Sequence, residues 1–194
     1  MRLTQKVHQL LEEALRSGDL AIDATAGNGH DTLKMASLVG STGKVVAIDV
    51  QEAAIASTRS RVEADGLADR VRLVPADHAT FLGKPNFPTN RRAGAIVFNL
   101  GYLPGSDKEI TTRPESTIEA LSAGLRLLRP DGVLLVTAYR GHPGGLAEAT
   151  AVETWGCSLD PAVWSVHCHE PSSSPGASLP PILWVIRRLP PNSV

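Results

Sequence analysis

The residues best suited to chemistry begin with Asp23-Ala24-Thr25-Ala26-Gly27-Asn28-Gly29-His30-Asp31-Thr32, where two glycines stand between acids. Glycines at 27 and 29 let a backbone turn tightly and meet a ligand without interference from a Cβ. Asp49 follows Gly29 by twenty residues and ends an apolar run. A carboxylate at that spacing can accept both ribose hydroxyls of an adenosine, although an acid before a helix can also serve as its cap. Asp77-His78 follows a third apolar run, at a position that would face the adenine; Asp77 too can be read as a cap. A dinucleotide is the rival ligand. Its fingerprint needs a third glycine, and here Gly29 is followed by His30, Asp31 and Thr32. An acid at 23 would repel a pyrophosphate and suits the α-ammonium of an amino-acid-bearing cofactor, met directly or through water.

A second group sits further on, in Asn99-Leu100-Gly101-Tyr102-Leu103-Pro104. An amide oxygen with backbone carbonyls can accept hydrogen bonds from an amine and aim its lone pair, while an aromatic ring tolerates the cationic product. The element is similar to the Asx-x-x-aromatic element of amino-group methyltransferases. The plainer alternative is that Asn99 caps a turn and Tyr102 packs. His142, in Tyr139-Arg140-Gly141-His142, can act as a base toward an ammonium substrate or can be a solvated loop histidine. Asp107-Lys108 and Thr111-Thr112 share the loop after Asn99. Arg91-Arg92 and Arg113 flank the same strand and are candidates for phosphate contact. His167-Cys168-His169 lacks a spaced second ligand pair, so no metal site is expected.

These residues need elements to hold them. Leu3 to Arg16 has leucines and a valine at helical spacing, and Ser17-Gly18-Asp19 stops it. Strands are expected at 20–24, 44–49, 70–74, 93–99 and 133–139, with helices at 30–39, 51–64, 114–128 and 144–155 between or after them. Arg129-Pro130-Asp131-Gly132 reads as a turn, and 162–169 with 182–188 as a closing antiparallel pair around a Ser/Pro-rich stretch at 171–181. Alternation of strand and helix implies an α/β fold with a mostly parallel sheet covered on both faces. By analogy, five such strands and a closing pair resemble the Rossmann-like class I methyltransferase fold, seven-stranded, with 1–194 as a single domain.

Composition agrees with a folded domain. Of 194 residues, 42% are hydrophobic and 20% charged, which excludes a disordered chain. The net charge of −1 does not mark a nucleic-acid binder, though a local patch can be basic on a neutral protein. No apolar run reaches the roughly 18 residues that span a bilayer, so no membrane association is expected. Met1 to Arg16 lacks the apolar core of a signal peptide, and two cysteines, Cys157 and Cys168, suit a reducing cytoplasm.

On the motifs quoted, with Asp49-Val50-Gln51, Tyr139-Arg140-Gly141-His142-Pro143, Ser116-Thr117 and Pro180-Pro181, the sequence resembles the tRNA 5-(aminomethyl)uridine methyltransferases, a group also labelled rRNA methylases. The resemblance runs along nearly the whole chain and departs at Gly105-Ser106, in the longer, Ser/Pro-rich stretch from Pro171 to Leu179, and at Arg187-Arg188. It implies S-adenosyl-L-methionine (SAM) as cofactor, with contacts at Asn28, Asp49, Gln51 and His78. It implies as substrate the wobble uridine in the anticodon region of tRNA, whose 5-aminomethyl group becomes 5-methylaminomethyl, and a homodimer. The alternatives are a methyltransferase acting on rRNA or another amine, and a nucleotide-binding module without chemistry.

Overall fold

The computed structural model describes residues 3–84, 91–102, 111–171 and 179–190. Strands β1 (Leu20–Asp23), β2 (Lys44–Asp49), β3 (Val71–Pro75), β4 (Ala93–Leu100), β5 (Leu128–Ala138), β6 (Trp164–His169) and β7 (Ile182–Arg188) form one sheet in the order β3-β2-β1-β4-β5-β7-β6. The first five run parallel, and β7 is antiparallel to both β5 and β6. This is the seven-stranded, mostly parallel arrangement expected of the class I methyltransferase fold. Because β1 and β4 are neighbours while the chain winds outward from each in opposite directions, their carboxyl ends open a crevice for a ligand.

The central strands are apolar on both faces because helices cover both. All four residues of β1 are buried, and so are seven of the eight in β4. Helix α1 (Leu3–Ala14) turns Val7, Leu10, Leu11 and Ala14 inward, and with α2 (His30–Leu38) it closes a core containing Met35, Val45 and Leu135. On the other face, α5 (Pro114–Leu127) and α6 (Gly145–Cys157) cover Ile22, Phe98 and Leu134. Helix α3 (Glu52–Ala64) lies beside α2.

Two elements refine the sequence reading. A short helix, α4 (His78–Leu82), follows β3, capped by Asp77, whose Oδ1 accepts from the Thr80 N–H at 2.8 Å. Strand β5 begins at Leu128, before the expected turn. Ala93 pairs with Leu128 and Ala95 with Val133, so 129–132 bulge out of the ladder, with Asp131 left-handed at φ 63°. Polar turn residues thus interrupt a strand that the apolar pattern alone would start at Val133. Asp107-Lys108, Leu103-Pro104 and most of the Ser/Pro-rich stretch lie outside the described residues.

Candidate functional site

A cavity of about 1100 Å³ opens at the carboxyl ends of β1, β2, β4 and β5. Of the expected site residues, Thr25, Gly27, Asn28, Asp31, Asp49, Gln51, Asp77, His78, Asn99, Tyr102 and His142 line it, whereas Asp23, Gly29 and Thr32 stand behind its wall.

The glycine turn is held by its neighbours. Gly27 and Gly29 are left-handed, at φ 53° and 77°. A Cβ on Gly29 would come within 2.8 Å of the Thr58 Cα, so this glycine lets the turn rest on α3. Asp49 braces the turn from the next strand: Oδ2 accepts the Gly27 N–H and Oδ1 the Gln51 N–H, both at 2.9 Å. Each oxygen keeps a lone pair, so the half-buried carboxylate can also meet a diol. Arg61 Nε donates to the Asn28 carbonyl at 2.7 Å, a brace that nothing in the sequence pattern announced.

Asp23 has a different place from the one expected by direct contact. It is fully buried, with Oδ2 accepting from the Thr32 hydroxyl at 2.5 Å and Oδ1 from the Thr25 N–H at 3.3 Å. Burial at the end of a central strand is the physical reason: the side chain ties β1 to α2 rather than reaching the cavity. Desolvation, and then the charge of Asp31, push its carboxyl up to about 7, against the pull of the bonds from Thr32 and Thr25. An acid whose folded pKa is raised supports the fold fully at low pH. That support is lost as pH rises from its ordinary value through the folded one. The stability difference between Asp23→Asn, which stays neutral, and the wild type therefore shifts in the variant's favour as pH rises from about 4 to about 7 and is constant above that. A gain of about 1 kcal/mol corresponds to roughly 2–4 °C in thermal midpoint. Melting curves across that range that stay parallel for the two proteins would overturn this reading of Asp23.

Asn99 is fixed at both ends. Its backbone N–H donates to the Thr25 hydroxyl at 2.6 Å, and its Nδ2 donates to Asp31 Oδ2 at 2.8 Å. Among the described residues its Oδ1 accepts nothing. Asp31 Oδ1 is met at 2.8 Å by Nε2 of His8, on α1.

The loop after β4 is clamped to α6. The Gly101 N–H donates to the Thr112 hydroxyl at 2.9 Å, which donates to buried Glu148 at 2.7 Å; Thr117 donates to the same carboxylate at 2.6 Å. A glutamate beside buried Ala149 and Val152 was the one signal in the sequence for this clamp. Tyr102 forms a bridge with Thr111 and sets its ring edge-on to His142, 5.7 Å between centroids. His142 Nδ1 lies 2.9 Å from the Pro143 carbonyl, which makes it the donor and leaves Nε2 bare in the neutral ring. That Nε2 is buried beside Gly101 and Gly145 and has no partner among the described residues.

At the adenine end, His78 is buried and packs edge-on against Phe98. Desolvation lowers its pKa, which favours the neutral ring. Its Nε2 has no partner among the described residues, and in the neutral ring protonated on Nδ1 it can accept an N–H.

The arginines divide. Arg113 and Arg140 line the cavity, and Arg140 also donates to the Pro180 carbonyl at 2.9 Å. Arg91 and Arg92 do not belong to this edge. They precede β4, at the amino end of the sheet, where Arg91 donates to the Gly18 carbonyl at 3.2 Å and Arg92 to the Arg126 carbonyl. A loop before a parallel strand lies opposite the loop after it, which corrects their expected role in the substrate's approach.

Comparison with known proteins gives consistent matches. The family model described as "Putative rRNA methylase" matches residues 45–187, and one for protein-L-isoaspartate(D-aspartate) O-methyltransferase matches 2–87. The chain is 40% identical over 171 residues to the chloroplastic tRNA (mnm(5)s(2)U34)-methyltransferase of Arabidopsis thaliana, covering 84% of this chain and 62% of that one. The chain thus spans less than two thirds of that relative's length. Among solved structures, a "putative rRNA-methylase" from Clostridium thermocellum superimposes with a TM-score of 0.89 at 35% identity, over 97% of this chain and 98% of that one. SMU.1697c of Streptococcus mutans, a "putative methyltransferase" in complex with SAH, gives 0.86 at 33% identity, over 97% and 99%.

Proposed function

Because this chain belongs to the rRNA methylase family, we propose that it is a SAM-dependent N-methyltransferase. It converts the 5-aminomethyl group of the (2-thio)uridine at the tRNA wobble position to 5-methylaminomethyl. The observation that carries the reading is Asn99, held so that its amide oxygen is the group offered to the cavity, between the glycine turn and Tyr102.

The residues fit the cofactor. Asp49 would take the ribose diol, Gly27, Asn28 and Gln51 would border it, and His78 Nε2 would accept from an exocyclic amino group such as that of adenine. Asp31 and Asp49 border the cavity, and their negative charge favours a cationic sulfonium and ammonium over a pyrophosphate. When bound, SAM supplies an electrophilic methyl group. At about 1100 Å³ the cavity is at the upper end of the roughly 300–1000 Å³ typical of ligand pockets. Tyr139 and Leu179, both exposed at the cavity, offer a surface on which a splayed base can stack.

The substrate amine must be neutral to attack. Asn99 Oδ1 would accept one of its N–H bonds and leave its lone pair free for the methyl group that bound SAM would supply; the methylated nitrogen would then give up a proton to water. The two free cysteines suit a reducing, cytoplasmic setting for this reaction.

The test uses tRNA isolated from cells that leave 5-aminomethyluridines unmethylated. Incubated with the protein and SAM, it should yield 5-methylaminomethyl nucleosides by mass spectrometry of its digest. Methyl incorporation into rRNA alone, or into no RNA, would overturn the assignment.

A further inference from the structure

We infer that His8 and Asp31 form a positioning pair that fixes which end of the Asn99 carboxamide meets the substrate amine; this rests on the N-methyltransferase reading. An ionised carboxylate only accepts hydrogen bonds. Asp31 has one oxygen on His8 Nε2 and the other on Asn99 Nδ2, each at 2.8 Å. Asn99 must therefore turn its NH₂ to Asp31 and its oxygen to the cavity. The reversed amide would set oxygen against carboxylate.

His8 does a second thing. Asp31 borders the cavity, and a carboxylate with an unsatisfied oxygen there would pair with a cationic amine. Such a pair holds the amine as ammonium, which has no lone pair to give. With His8 on one oxygen and Asn99 on the other, each Asp31 oxygen already holds a donor, which weakens its pull on a cationic amine. The arrangement is rigid on the histidine side, because Val7 and Leu11, the latter on the next turn, are sunk in the core. His8 and Asp31 side chains are 30% and 12% exposed, so the pair is shielded without being sealed. The contact joins residues 23 apart, and through Asp31 it reaches Asn99, so it ties the first helix to the reacting end of the site.

His8→Phe removes the donor at a half-buried position, and His8→Gln restores an N–H that can reach the same oxygen. His8→Phe is expected to lower kcat about tenfold, the fold-change of one lost orienting hydrogen bond. The Kd for SAM stays unchanged and KM for the tRNA unchanged or lower, because the freed carboxylate binds the ammonium form. His8→Gln is expected to recover most of kcat. A merely structural role would instead raise both binding constants and would not distinguish the two variants. The second readout needs no substrate: in ¹⁵N-labelled protein the Asn99 side-chain amide signals should move in His8→Phe and return in His8→Gln. Unmoved amide signals, or kcat in His8→Phe within about twofold of wild type, would overturn the pairing. Absence of methylation by the wild type would instead count against the proposed substrate, and the amide signals would still decide the pairing.

Discussion

Asn99→Ala should lower the single-turnover methylation rate roughly 100-fold, the scale on which misorientation of a reacting group acts, while the Kd for SAM changes little. The residue's backbone N–H still bonds Thr25 in the variant, so the turn stays in place and only the amide is lost. An interaction that acts mainly in the transition state shows itself as a fall in rate without a matching fall in ground-state binding. With enzyme saturated, the wild-type rate should rise with pH until the bound amine is deprotonated and then level off. Full activity in Asn99→Ala would refute the orienting role. A larger loss in His142→Ala, with an altered pH profile, would move the chemistry to the bare Nε2 beside Gly101.

Asp49→Ala should weaken SAM binding by roughly 2–4 kcal/mol, the cost of losing charge-assisted bonds to a diol. The structure adds a second reason. Both carboxylate oxygens hold backbone N–H groups, Gly27 on one and Gln51 on the other, so the variant also unties the turn that the cofactor meets. Asp49→Asn is not a conservative replacement here, since its NH₂ would face one of those donors. Calorimetry showing near-wild-type affinity in Asp49→Ala would sink the assignment; circular dichroism should show the fold intact.

Much of this is legible in the amino-acid sequence. Apolar runs ending in acids marked β1 and β2, because a strand buried on both faces has no polar face to alternate with. Glycines and an acid twenty residues apart marked the cofactor turn, because that spacing is one strand and one helix. Helix α4, too short for a period to show, was legible only through Asp77 as a possible cap. Two things were not legible. Arg91 and Arg92 sit beside β4 in sequence but at its far end in space, and only the strand's direction distinguishes the two. His8 reads as one polar position on an amphipathic helix, and its partner comes from another helix. Local pattern finds residues that serve a ligand through their own loop; it is blind to those that serve it through a neighbour.

Strand β7 lies between β5 and β6, although it follows both in the chain. On the ribosome, β5 is therefore made with one edge open, and its Leu134, Leu135 and Val136 wait for Ile186, Val185 and Trp184. Until β7 emerges, the growing chain shows an unpaired apolar edge of the kind that recruits other chains. Folding of the half that binds the cofactor can run ahead of synthesis, while the sheet as a whole closes only when its seventh strand is inserted. Nascent chains stalled before residue 182 should then engage chaperones, and release once the strand is out.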